Sequence, residues 1–230
     1  MNKVYREEKK FLIHIDEFLR KSHQLEQVMA QDVHNGTHGY MIRSLYFDTM
    51  HDGDYFEKLA GIETRRKVRL RCYDPESDYA MLEMKQKQGS SQLKRSLRIS
   101  REDAKRLIAC DYTPLLTYQD EFAVEMYAFM LMKCYRPKTI VQYNRKAFIA
   151  KENKIRITFD NQIVATESNY DLFDPSLNMY PVLDKSKVIL EVKFNGFLLE
   201  YLKQMINSVD KSELSVSKYA LARQQSYHME

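Results

Sequence analysis

The sequence predicts an α+β domain built on a mostly antiparallel sheet. Segments of alternating polar and apolar residues come in runs, with helical patterns between the runs rather than after every strand. The connections are short and carry Gly, Ser, Asp, Asn or Pro. No Gly-rich phosphate loop or dinucleotide fingerprint is present, and the 230 residues include only 6 Gly.

Taken in order, residues 4–13 read as a first strand, with Tyr5, Arg6, Glu8 and Lys10 carrying its polarity. Asp16 is placed as the N-cap of a helix to Ala30, because Ile15, Phe18, Leu19, Leu25, Val28 and Met29 recur at helical spacing. The loop 34–39 precedes a strand from Ile42 to Phe47 and a short helix from Asp54 to Leu59. Three strands are expected at 63–73, 80–88 and 93–99, the last two joined by the hairpin signal Gly89-Ser90-Ser91. Ser100 and Asp103 form a capping-box-like start to a helix ending near Cys110. The helix over 120–134 is apolar on most sides and is expected to be buried. Strands at 139–149 and 154–160, a polar segment over 161–187, a strand at 188–194, a helix from Phe197 to Val209 and a terminal helix from Ser217 complete the chain. No linker or repeat divides it, so residues 1–230 are read as one domain.

Composition narrows the function. With 16 Tyr, 11 Phe and 12 Met the chain has ample core material, and its net charge of +4 excludes a tail-type nucleic-acid binder. Cys72, Cys110 and Cys134 are odd in number and in no metal-ligand spacing, which suits reduced thiols in a cytoplasmic compartment. No run of ~18 apolar residues exists, so no transmembrane helix is expected. His34 and His38 lie four apart but in a Gly-containing loop, which does not align them for zinc.

The strands themselves hold the strongest signal. Lys67, Arg69 and Arg71 alternate with apolar residues; Glu83, Lys85 and Lys87, then Lys94, Arg156, Glu191 and Lys193 continue the rhythm. Residues two apart share a face of a strand. Any one such strand fits a solvated sheet face. Cations repeated on neighbouring strands repel one another, and an anion with several charges relieves this. Phe159 and Phe194 fall on the opposite, apolar face, and only Tyr143 lies beside a cation, Arg145. That favours a base-free phosphate chain over RNA, which would add stacking aromatics. Glu8, Glu83 and Glu191 each precede a lysine by two. Each is either a same-face ion pair or a ligand for Mg²⁺ or Mn²⁺.

Eight segments in order resemble the VTC domain, the polyphosphate polymerase domain of the vacuolar transporter chaperone family, within the triphosphate tunnel metalloenzymes. They are Tyr5-Arg6-Glu7-Glu8-Lys9-Lys10-Phe11, Ser44-Leu45-Tyr46-Phe47-Asp48-Thr49, Lys67-Val68-Arg69-Leu70-Arg71, Leu82-Glu83-Met84-Lys85, Tyr143-Asn144-Arg145-Lys146-Ala147-Phe148, Arg156-Ile157-Thr158-Phe159-Asp160, Leu190-Glu191-Val192-Lys193 and Ser217-Lys218-Tyr219. The resemblance implies an antiparallel β-barrel tunnel with helices around it. It further implies a polymerase that moves the γ-phosphate of ATP onto a polyphosphate chain and releases ADP, with Mn²⁺ or Mg²⁺. Carried over by motif, Arg69, Arg71, Lys85, Arg145, Arg156 and Lys193 act on the reacting phosphates, Lys10, Lys94 and Lys218 bind phosphate, and Glu191 binds the metal. Lys94 and Arg95 each fit one motif position, and Lys87 joins the phosphate-binding set as the same-face neighbour of Lys85.

Arg6 stands where the wider superfamily has the first Glu of Glu-x-Glu-x-Lys, as is usual in the VTC branch, which argues against a thiamine triphosphatase or cyclase. No segment resembles the SPX domain or membrane helices of the eukaryotic protein. Control by inositol phosphates in cis is therefore not expected. The expected partners are ATP and polyphosphate, with no nucleic acid and no integral membrane segment. A tripolyphosphate or nucleoside-triphosphate hydrolase and a non-catalytic polyphosphate-binding module remain alternatives.

Overall fold

The computed structural model describes residues 6–89, 91–207 and 217–227. Tyr5, Ser90 of the hairpin and the last residues of the helix expected to reach Val209 lie outside this set. Among the described residues, ten strands belong to one sheet, accompanied by six α-helices, which is the α+β class expected. The strands are β1 (Arg6–His14), β2 (Ala30–Gln31), β3 (Tyr40–Asp48), β4 (Arg65–Cys72), β5 (Tyr79–Gln88), β6 (Ser91–Ser100), β7 (Arg136–Ile149), β8 (Arg156–Thr166), β9 (Tyr180–Pro181) and β10 (Lys187–Asn195). The helices are α1 (Ile15–Glu26), α2 (Gly53–Leu59), α3 (Arg101–Ile108), α4 (Glu121–Met132), α5 (Glu200–Asn207) and α6 (Lys218–Tyr227). In hydrogen-bonding order the sheet runs β1-β10-β8-β7-β3-β4-β5-β6, with β2 on β7 and β9 on β8.

The described residues group into two compact units. One lies within Met1–Met41, Tyr143–Ile163 and Leu183–Val216, the other within Ile42–Gln142, Val164–Val182 and Ser217–Glu230. Three of the five divisions fall inside β3, β7 and β8, where strands run through from one unit to the other.

In the first unit, Leu190, Val192, Ile157 and Phe159 alternate onto one face of β10 and β8 and pack with Phe18 and Leu25 of α1 and Leu202 and Ile206 of α5. Buried Lys21 of α1 donates to the carbonyl of Met205 at 2.6 Å, satisfying an acceptor in the last turn of α5. The cap of α1 is His14 rather than Asp16: β1 runs directly into the helix, so its last residue has the extended backbone a cap needs, and its Nδ1 accepts from the Asp16 amide at 3.5 Å. The helix stops at Glu26, before the expected Ala30, because Ala30 and Gln31 pair with β7.

In the second unit, Val68, Leu70, Leu82 and Met84 form the buried face of β4 and β5, with Leu107 of α3 and Phe122 and Met126 of α4 in the same core. The Ser100 hydroxyl accepts from the Asp103 amide at 3.1 Å and donates to its carboxylate at 2.7 Å, so the capping box starts α3 as expected. Asp120 caps α4. The expectation that α4 is buried holds on one side only. Phe122, Ala123, Met126 and Met130 are buried, but Val124, Leu131 and Met132 are exposed, Met132 by 79 %. An apolar composition does not make a helix central when only one of its faces has a core to meet.

α2 starts in an unusual way. Its N-cap residue, Asp52, is left-handed (φ 56°) and its side chain makes no capping bond. Asp52 instead binds Arg223 at 2.5 Å and Lys138 at 3.0 Å. Capping falls to Asp48, at the end of β3. It accepts from the amides of Thr49, Asp54 and Tyr55 at 2.7, 2.9 and 3.0 Å, and from the Tyr219 hydroxyl of α6 at 2.5 Å. One fully buried carboxylate thus joins β3, α2 and α6. Asp48→Ala leaves buried donors unsatisfied and is expected to cost at least about 3 kcal/mol in urea unfolding.

Candidate functional site

The antiparallel register of the second unit assembles a cationic face. Across β4, β5 and β6, Lys67 stands opposite Lys85, and Lys85 opposite Lys94. The next row is Tyr46, Arg69, Glu83 and Ser96, and the one after it Ser44, Arg71, Met81 and Arg98. Directly opposed lysines are unfavourable; two ammonium groups ~5 Å apart at an effective dielectric near 20 repel by about 3 kcal/mol. The backbone holds these cations together because the same strands bury Val68, Leu70, Leu82 and Met84 on their other side. Side-chain alternation cannot change one face without moving the other.

Glu83 is the one carboxylate that β4, β5 and β6 place on this face, and it is 3 % exposed. Its Oε2 accepts from Arg69 Nε and Nη2, each at 2.7 Å, and lies 3.8 Å from Arg71 Nε. Its Oε1 meets Lys94 Nζ. Burial would raise the carboxyl pKa, but Arg69, Arg71 and Lys94 outweigh it and hold the value at about 2. Burial likewise would raise the Tyr46 phenol, yet Arg69, Arg71 and Lys218 bring it below its usual value, a gauge of the positive potential here. Arg69 Nη1 donates to the Tyr46 hydroxyl at 3.1 Å.

A cavity of about 30 Å³ is lined by Tyr46, Lys67, Arg69, Glu83, Lys85 and Lys94. The start of α6 packs against the same residues. The Ser217 hydroxyl meets Lys67 Nζ at 2.6 Å, and Tyr219 stacks on Tyr46 at 5.1 Å. Lys218, the first residue of α6, acts on Tyr46 through its charge. Lys94 and Arg95 lie on opposite faces of β6. Lys94 faces Lys85, whereas Arg95 points to the opposite side, onto Glu125 (2.6 Å) and over the Phe122 ring (4.8 Å). Lys87 lies one row beyond Lys85, opposite Arg65 and Gln92.

The first unit carries a different arrangement. Register sets Lys10 opposite Glu191, Glu8 opposite Lys193, Glu191 opposite Thr158 and Lys193 opposite Arg156. Lys10 binds Glu8 at 2.7 Å and Glu191 at 3.5 Å. Lys193 contacts Glu191 and lies 3.9 Å from Glu8. Two lysines and two glutamates thus alternate at the corners of a quartet. Burial would lower the Lys10 pKa, but Glu191 and Glu8 raise it. Arg145 grips Asp160 with two bonds of 2.6 and 2.7 Å and lies over Tyr143 at 5.4 Å. Arg156 binds Asp32 at 2.7 Å and the Tyr40 hydroxyl at 3.1 Å. Lys10, Lys193, Arg145 and Arg156 are therefore each matched by a carboxylate.

Among the described residues no three or more His, Cys, Asp or Glu side chains are grouped so that they alone could hold a metal ion. The first unit nonetheless suits a hard divalent cation. Mg²⁺ and Mn²⁺ are commonly held by one or two carboxylates, with phosphate and water oxygens completing the shell. Glu191 and Glu8 supply two, and Thr158, opposite Glu191, has a buried Oγ1 with no hydrogen-bond partner. Glu83 has no second carboxylate beside it on β4, β5 or β6, so that face offers one such ligand where the first unit offers two.

The sequence reading missed Asp32 and Tyr40, and it gave no role to Tyr46 and Asp160 although both lie in the family-like segments. Asp160 had a readable signal, since it continues the alternation of Arg156 and Thr158; Asp32 had none. The shift at Glu83 has a consequence for acid stability. A depressed folded pKa means that the unfolded chain binds the proton more readily, so stability is lost as pH falls from about 4.5 towards about 2. Removing this proton uptake with Glu83→Gln is expected to make the pH dependence of the unfolding free energy shallower in that window by up to about 3 kcal/mol.

Comparison with known proteins identifies the family and the fold. The model of the VTC domain matches residues 5–227. No curated protein sequence matches the chain. Among solved structures, a proposed adenylyl cyclase from Hippeastrum, described as having a dominant triphosphatase activity, superposes with a TM-score of 0.57 at 12 % identity and 95 % coverage of both chains. A proposed adenylate cyclase from Bacillus halodurans gives 0.51 at 14 % identity, over 92 % of this chain and 96 % of that one. At such identities the likeness shows the fold alone, which is the triphosphate tunnel fold. With the family model spanning nearly its whole length, the chain belongs to the VTC domain family.

Proposed function

We propose that this chain is a metal-dependent polyphosphate polymerase that transfers the γ-phosphate of ATP to the end of a polyphosphate chain. The observation that carries the reading is the face of β4–β6, where Lys67, Arg69, Arg71, Lys85 and Lys94 share a side with one carboxylate. A triphosphate offers the dense, sequence-free negative charge that such a face neutralises, and Arg supplies the planar fork that fits phosphate oxygens. Membership of the VTC family supports polyphosphate as the product.

Phosphoryl transfer asks the protein mainly for alignment and charge neutralisation. A terminal oxygen of the acceptor chain bonds to the γ-phosphorus as the bond from that phosphorus to the β–γ bridging oxygen breaks. The electron pair leaves on ADP. Arg69, Arg71, Lys85, Lys87 and Lys94 are assigned to grip phosphates, with Lys218 at the start of α6. Arg145, Arg156, Lys193 and Lys10 are assigned to the charge on acceptor and transferred groups. Mn²⁺ or Mg²⁺ held by Glu191, with Glu8 and Thr158 beside it, would neutralise phosphate oxygens as a Lewis acid.

The triphosphatase activity described for the Hippeastrum protein favours a second reading, a hydrolase in which water replaces the chain as acceptor. Cys72, Cys110 and Cys134, none in a disulfide, support a reducing, cytoplasmic setting. Among the described residues no helix is long and apolar enough to cross a membrane.

Incubation with ATP and Mn²⁺ followed by sizing of phosphate products on a gel is expected to give long chains and ADP. Orthophosphate alone would establish the hydrolase instead, and tight tripolyphosphate binding without turnover a binding module. Glu191→Gln is expected to abolish metal-dependent turnover. Independently, tripolyphosphate is expected to raise Tm by mass action. Arg69→Ala should remove more than half of that rise, as read by calorimetry.

A further inference from the structure

Glu83 is a lone carboxylate among cations and is not part of a solvated face. It is buried, both its oxygens are engaged by cations, and its partners Arg69, Arg71 and Lys94 are residues assigned above to phosphate. An Arg fork accepts carboxylate and phosphate with the same geometry, so Glu83 occupies the donors a phosphate would use. The cavity it helps to line measures about 30 Å³. A triphosphate entering there must take over bonds that Glu83 now holds.

We propose that Glu83 is a resident counter-anion. It fills a phosphate subsite between Arg69 and Lys94 when no ligand is bound, yields that subsite to an incoming phosphate, and so weakens the grip on the chain. This inference rests on the phosphate-binding reading of the β4–β6 face. It has two linked consequences. Without ligand, Glu83 offsets repulsion among opposed cations and stabilises the fold. With ligand, it competes for the same donors and remains as a like charge beside the phosphates. A face without it would bind a polyanion more tightly and release it more slowly, a disadvantage for an enzyme whose product must advance by one phosphate per cycle.

The alternative role for a buried glutamate on an arginine is to hold that arginine in place, and the two roles predict opposite signs. Tripolyphosphate binding is measured by titration calorimetry in EDTA at fixed ionic strength, so that the metal site does not contribute, for the wild type, Glu83→Gln and Glu83→Asp. Glu83→Gln is expected to lower the ligand-free Tm yet to bind tripolyphosphate about tenfold more tightly, ~1.4 kcal/mol. Glu83→Asp keeps the charge but draws it back by one methylene, so an intermediate gain is expected. It serves as the readout should the glutamine variant not fold without ligand. Wild-type binding with unchanged or weaker binding in the variants overturns the counter-anion role and leaves the phosphate-binding reading standing. Absence of tripolyphosphate binding in the wild type overturns both.

Discussion

The organising constraint is the two-residue period of the strand. Val68, Leu70, Leu82 and Met84 must face the core, so Lys67, Arg69, Arg71 and Lys85 must face the other way, and antiparallel pairing then brings them side by side. The cations are not attracted to one another. They are held together by the apolar residues between them, at roughly 25 cal/mol per Å² of apolar surface removed from water. Moving one strand by one residue would relieve the repulsion but would expose the core side chains. The charged face is thus an obligatory companion of the buried one, and the molecule manages the repulsion with carboxylates rather than by rearranging strands.

It does so differently in its two units. In the first, Lys10, Lys193, Arg145 and Arg156 meet Glu8, Glu191, Asp160 and Asp32. Such matched sets fix side-chain geometry and have limited electrostatic appetite for a further anion, but their carboxylates can take a cation that brings phosphate with it. In the second, a single glutamate shares the β4–β6 face with eight lysines and arginines. That ratio favours direct capture of an anion. The contrast supports a division of labour, one set suited to a metal and to positioning, the other to gripping phosphates.

Much of this was legible in sequence, and the limits have physical causes. Alternation named the strands and the cations on them because a strand writes its two faces directly into residue order. It could not choose between Lys94 and Arg95, since adjacent residues differ only in parity, and parity on β6 is set by its pairing with β5. The carboxylate partners were harder. Arg156 finds the Tyr40 hydroxyl 116 residues away in the chain, and nothing local marks either residue for the other. The start of α1 was misplaced by two residues because the chain enters the helix straight from a strand, without the loop that usually exposes a cap. The burial of α4 was overstated because hydrophobicity records what a helix can bury, not how many faces meet a core.

The same logic links the β4–β6 face to the supports of α6. Ser217, Lys218 and Tyr219 sit together at the start of that helix, and Tyr219 reaches both the ring of Tyr46 and the carboxylate of Asp48. Asp48 in turn satisfies three amides around the start of α2. A cation on a flexible segment would swing away from Arg69 and Arg71 to lower the repulsion. Lys218 is denied that freedom because its neighbour is pinned by a buried hydrogen bond and an aromatic stack. Neither contact is to a ligand, yet both keep positive charge near Tyr46 when no anion is present to attract it. Preorganisation at this face is therefore sustained by neutral and anionic groups behind it, and its cost is met by the packing of a tyrosine rather than by the cations themselves.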